Sequence, residues 1–99
     1  MRIAIPIEEK KLAQHFGHCE TIELFDVDVA TQSIISSQAI DAPEHRPGLL
    51  PRLLADYEVE VIIACGMGNR AQNLFADYRI KAITGITKTP PKAIIEDYM

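Results

Sequence analysis

Two short stretches of this chain hold residue types that can do chemistry. The first is His15-Phe16-Gly17-His18-Cys19, which puts two imidazoles and a thiol within five positions. Neutral imidazole and thiolate are borderline-to-soft ligands for zinc, copper, iron and iron-sulfur clusters. Binding through them releases protons, because the ligating forms are neutral His and ionised Cys. Gly17 lets the backbone bend tightly enough for its flanking side chains to converge. The spacing fits neither a C-x-x-C nor an H-x-x-x-H pattern. An equally simple reading is a solvated loop with Phe16 tucked into the core.

The second stretch is Cys65-Gly66-Met67-Gly68-Asn69, at a strand-to-helix junction. A helix start offers backbone N–H groups without intrahelical partners, and a partial positive charge that suits an anion. Cys65 and Met67 add a thiol and a thioether. With only two glycines in this turn there is no dinucleotide-binding fingerprint. Its bland counterpart is a tight turn with Cys65 as a small buried hydrophobe. His45 and Arg46, in a Pro-flanked loop, and Arg70, at the helix start, could reach the same region. As easily, they are solvent-facing.

Little else is suited to catalysis. Asp26 and Asp28 share a strand face, but two exposed acids near a hairpin end read as surface. No Ser–His or Cys–His pairing with a third orienting group stands out. Cys19 and Cys65 lack the C-x-x-C spacing of a redox pair. We therefore expect no enzyme.

The elements that must position these residues follow from apolar spacing. Arg2 to Ile7 alternates Ile3, Ile5 and Ile7, a strand that Pro6 is expected to end. Glu8 to Cys19 has no clean period and reads as a loop. Thr21 to Val27 and Ser33 to Ile40 form an antiparallel hairpin, the second strand polar enough for a sheet edge. Pro47 opens a helix carrying Leu49, Leu50, Leu53, Leu54 and Tyr57. The run Val59 to Cys65 is apolar throughout, as in a parallel strand covered on both faces. Asn69 is expected to cap a helix, with Gln72 completing a capping box, and Ala71, Leu74, Phe75 and Tyr78 lie on that helix's apolar stripe. Ile80 to Thr84 is a short strand. Pro90 and Pro91 start a last helix with Ile94, Ile95 and Tyr98 on one side. The order β-β-β-α-β-α-β-α makes a three-layer α/β/α sandwich with a mixed five-stranded sheet. In such sheets sites lie beyond the carboxyl ends of the strands, which brings the two stretches into one region.

The chain has 99 residues, 47% apolar and 24% charged, enough for one core and one domain over residues 1–99. Ten basic against fourteen acidic side chains give a net charge of -4. Four bases meet eight acids in residues 1–50, whereas residues 51–99 balance. This acidity argues against nucleic acid as a partner, and the absence of Trp leaves few rings for base stacking. No apolar run approaches a membrane span and no signal-peptide core opens the chain, so we expect a cytoplasmic protein without a structural disulfide.

As a set, these segments resemble the dinitrogenase iron-molybdenum cofactor biosynthesis family, the NifX/NifY-type and C-terminal NifB-type domain with its stand-alone, orange-protein-like members. The resemblance is carried by Met1 to Pro6, His15-Phe16-Gly17, Leu53-Leu54-Ala55 with Val59 to Ile63, Cys65 to Gly68 with Ala71, and Thr89 to Tyr98. It implies a ribonuclease H-like motif without nuclease chemistry. It further implies a binding, carrier or scaffold protein for an iron-sulfur or molybdenum-containing sulfide cluster, or its precursor. A cluster-assembly protein or an ATPase is the implied partner. On this reading His15, His18, Cys19, Cys65 and Met67 are the candidate metal ligands. Gly17, Gly66, Gly68, Asn69 and Arg70 would line the cluster, which sits in a cleft between the two loops. The alternatives are a small anionic metabolite or nucleotide held at the Gly66–Gly68 turn, and a protein-interaction domain of an assembly complex.

Overall fold

The Ile3, Ile5, Ile7 alternation builds the middle of the sheet. The computed structural model describes residues 1–16, 19–42, 48–87 and 90–98. In it β1 (Arg2–Glu8) is flanked by the antiparallel β3 (Thr21–Asp28) and the parallel β5 (Val61–Ile63). Outside these lie β4 (Ser33–Asp41), antiparallel to β3, and β6 (Lys81–Ile83), parallel to β5. The order is β4-β3-β1-β5-β6, with the expected polar strand on one edge.

Alternating side chains send two apolar sets to opposite faces. Ala4, Ile22, Leu24 and Ile62 pack with Leu50 and Leu54 of α1 (Leu49–Asp56) and Phe75 of α2 (Asn69–Asp77). Ile3, Ile5, Phe25, Val61 and Ile63 pack with Ile94 and Ile95 of α3 (Pro91–Tyr98). The result is the three-layer α/β/α sandwich with a mixed sheet, two helices on one side and one on the other.

Three local expectations are corrected. First, β1 runs through Pro6 to Glu8. The Pro6 carbonyl accepts from Ala13 N–H at 2.9 Å, while Ile7 bonds toward β3 by accepting from Glu20 N–H at 2.9 Å. The side of Pro6 that lacks an N–H thus faces away from β3, beyond the Ala4–Ile62 pair where pairing with β5 ends.

Second, the stretch read as loop contains β2 (Lys11–Leu12), hairpinned onto β1 through the pairs Ile7–Leu12 and Glu8–Lys11. Its two turn residues, Glu9 and Lys10, have φ 53° and 66°, the twist a two-residue hairpin needs. Neither is Gly or Asn, so no turn signal was on show. The Glu9 N–H donates to Glu20 Oε1 at 2.9 Å, which fixes the turn to the chain that follows.

Third, α2 begins one residue early. Gly68 is its N-cap, with extended φ −67° and ψ 157°, and no side chain caps it. Asn69 is the first helical residue. Gln72 Nε2 turns back to donate to the Met67 carbonyl at 3.0 Å, instead of closing a capping box.

At the other end of the sheet Arg2 ties three elements together. Its Nε donates to Asp26 Oδ1 at 2.8 Å, and its Nη1 donates to the Tyr57 carbonyl at 2.6 Å. The Arg2 hydrogen bond holds the Asp26 carboxyl below its usual range, and burial opposes this only in part. A carboxyl depressed in the folded state stabilises above its unfolded pKa, and loses that effect as pH falls through the folded value. Asp26→Asn should therefore lower the urea midpoint at pH 7. The gap to the parent protein should close on acidification below the carboxylate range, as urea titrations across pH would show.

Candidate functional site

The loop after β1 and the turn after β5 meet at the carboxyl ends of the parallel strands, as the topology requires. At His15 and Gly66 they are zipped side by side. Phe16 N–H donates to the Gly66 carbonyl at 2.8 Å, and Gly66 N–H donates to the Gln14 carbonyl at 3.0 Å, a parallel bridge pairing His15 with Gly66. A Cβ on residue 66 would lie 2.8 Å from the Gln14 carbonyl oxygen and 3.2 Å from His15 Nδ1. Only a glycine lets the strips approach this closely, and the His15 ring rests over it.

Phe16 anchors the first strip. It is buried, and its ring meets Phe75 of α2 edge-on at 5.4 Å. The core thus fixes the height of the exposed His15 next to it. Of the motif's other residues, Gly17 and His18 lie outside the described residues, as do His45 and Arg46.

The bridge sorts the candidate ligands. Neighbours along an extended strip point to opposite faces. His15 and Gly66 pair across the bridge, and their neighbours Gln14 and Cys65 line a cavity of about 380 Å3. Cys19 and Met67 are half-buried against the core cluster under α1 and α2. Among the described residues, no group of three or more His, Cys, Asp or Glu side chains is placed to hold a metal ion.

Burial pushes the Cys19 thiol up to about 11, and the charge of Glu8 adds to the rise. At neutral pH Cys19 is a thiol, and a metal would have to displace its proton. Alkylation at Cys19 should accordingly be slow at pH 7–8 and accelerate toward pH ~11, a profile that peptide mapping after iodoacetamide treatment would read.

Beyond the turn, α2 presents its start to solvent. Its first ladder bond runs from Gln72 N–H to the Gly68 carbonyl at 3.1 Å, so the amides of Asn69, Arg70 and Ala71 have no intrahelical acceptor. Gly68, Asn69 and Arg70 are exposed, and Arg70 takes part in no ion pair among the described residues. One lip therefore offers an imidazole, a guanidinium and three amides, all donors or neutral ligands suited to an anion. Sequence reasoning missed the hairpin wall of the cavity and the Gln72–Met67 bond that steadies the turn.

The fold is an α/β/α domain with a mixed sheet, and His15, Gly66 and the start of α2 lie at the β1 and β5 loop ends. The chain belongs to the dinitrogenase iron-molybdenum cofactor family, which matches residues 1–99. It is 30% identical over 78 residues to the Methanocaldococcus jannaschii protein MJ0580, a match spanning 76% of this chain and 66% of that one. In structure it is similar to PH0822, with a TM-score of 0.91 at 24% identity over 99% of this chain and 88% of that one. It is also similar to the apo form of the orange protein from Desulfovibrio gigas, with a TM-score of 0.78 at 19% identity over 98% and 85%. At these identities the two structures share the fold. No helix among the described residues is long and apolar enough to cross a membrane.

Proposed function

We propose that residues 1–99 act as one cytoplasmic, non-catalytic domain that binds and carries a preassembled metal-sulfide cluster during cofactor assembly. The cluster is iron-sulfur or molybdenum-containing and anionic. One observation carries the reading: the zipped strips place His15 beside the open start of α2, with Arg70 exposed there. The donor set suits cargo. A cluster brings its own sulfides, so it needs one or two side-chain contacts and N–H donors for the sulfide charge. His15 would supply the principal ligand, and Gly66, Gly68, Asn69 and Arg70 would form the lip. Cys65, next to Gly66 on the same turn, would be the second contact. His18, Cys19 and Met67 would be auxiliary ligands, and Gly17 would line the cluster. A cluster-assembly protein or an ATPase is the natural donor or recipient.

The test is anaerobic reconstitution of the full chain with iron, molybdate, copper and sulfide, followed by gel filtration. A visible charge-transfer band should travel with the protein. His15→Ala should remove most of it, and Cys65→Ser should remove less. If no band co-elutes in any metal combination, the reading fails. A rise in Tm with phosphate or nucleotides, insensitive to His15→Ala, would then favour the small-anion alternative.

A further inference from the structure

A second cavity, of about 300 Å3, lies on the α3 side of the sheet, the face opposite α2 and its open start. Its size is at the lower end of what holds a small molecule. Ile63 and Ile83 are register partners on β5 and β6, and both pack in the cluster under α3, so they form one apolar floor. Ile94, Asp97 and Tyr98 stand at i, i+3 and i+4, so a single stripe of α3 forms the facing wall. The charges of α3 run against its dipole. Lys92 stands in the first turn with no acid beside it, and the last turn holds Glu96 and Asp97 with no basic residue. Acids stabilise a helix at its N-terminal end and cations at its C-terminal end, so this order is the unfavourable one. The carbonyls of the last turn lack intrahelical donors and add their own partial negative charge. A carboxylate, a row of carbonyls and the Tyr98 ring therefore meet beside one apolar cavity, and each of the three attracts a cation.

We propose that this cavity binds a small organic ammonium ion with an apolar body, at a site separate from the cluster lip. The body lies between the Ile63–Ile83 floor and Ile94, and the ammonium lies at Asp97 and against the Tyr98 ring. Asp97 already makes a contact, but a carboxylate has about four acceptor positions and can take a second donor. Bound there, the cation supplies the positive charge that the last turn of α3 lacks. A carboxylate guest is repelled at the same point, and a neutral one gains only the apolar floor. The proposal stands whether or not the lip binds a cluster.

Phenethylammonium, phenethyl alcohol and phenylacetate share one apolar body and differ in charge. Each is titrated into the full chain carrying methyl-labelled isoleucine, and the shifts at Ile63, Ile83, Ile86 and Ile94, which all line the cavity, are followed by NMR. The ammonium should bind about three- to fivefold more tightly than the alcohol, the scale of one exposed ion pair, and the carboxylate should bind most weakly. Asp97→Asn should remove the advantage of the ammonium, and Tyr98→Leu should narrow it. Glu96→Gln changes the net charge by the same amount outside the lining, and should retain it. Four results would overturn the proposal: no shift at these methyls with any probe, equal affinity for all three, an ammonium preference that survives either the Asp97 or the Tyr98 substitution intact, or one that Glu96→Gln removes as completely as Asp97→Asn, as net charge alone would dictate.

Discussion

Gly66→Ala is expected to part the two strips and remove cluster binding, whereas Gly68→Ser, two residues on, should do neither. The added methyl would sit 2.8 Å from the Gln14 carbonyl oxygen, closer than real contacts allow, and that oxygen belongs to backbone that cannot swing aside. Relief means lengthening the Phe16–Gly66 and Gly66–Gln14 bonds that hold the bridge. Overpacking of this kind destabilises by about 1–3 kcal/mol. The His15 ring, 3.2 Å from the same point, would be displaced with it. A Cβ at Gly68 meets nothing within 4 Å, its φ of −67° is open to any residue, and serine is a better N-cap than most. Thermal melts and reconstitution of both variants check this. Equal behaviour would mean that the bridge does not position the lip.

Phe75→Ala is expected to have the largest effect on stability, roughly 3–5 kcal/mol, a large part of the roughly 5–15 kcal/mol that holds such a domain together. Phe75 is fully buried at the centre of the α1–α2 face and has few ways to be replaced by collapse. Its edge-on contact with Phe16 makes it the floor under the candidate loop. A double-mutant cycle with Phe16→Leu should return a coupling of about 0.5–1.5 kcal/mol by urea denaturation. Additivity within error would show that the core does not hold the loop through this pair.

The layered fold was legible because burial is written in period. Ile3, Ile5 and Ile7 alternate, Val61 to Ile63 are apolar without a break, and Leu74 with Phe75 recur at helical spacing. The β2 hairpin was not, because Glu9 and Lys10 adopt the left-handed turn with side chains that usually avoid it. The shift of the α2 cap from Asn69 to Gly68 turns on one residue of backbone geometry, which composition does not encode. For the site, strand polarity alone brought the two loops together. The pairing of His15 with Gly66 arises from a bridge between segments about fifty residues apart, and no local pattern records it. The inward packing of Cys19 was hidden for the same reason.

The central place of β1 also bears on how the chain is made. Ile3 bonds outward to β3 within a local antiparallel unit, but its other neighbour, Val61, follows 58 positions later. At about 5–20 residues per second, roughly 3–12 s separate the synthesis of the two. During that interval the β4-β3-β1 unit can close while the inner edge of β1 stands open, an uncharged ribbon from Ile3 to Ile7 able to pair with another nascent chain. The yield of folded protein should therefore depend on how densely ribosomes load its message, and on chaperones that shield that edge until β5 arrives.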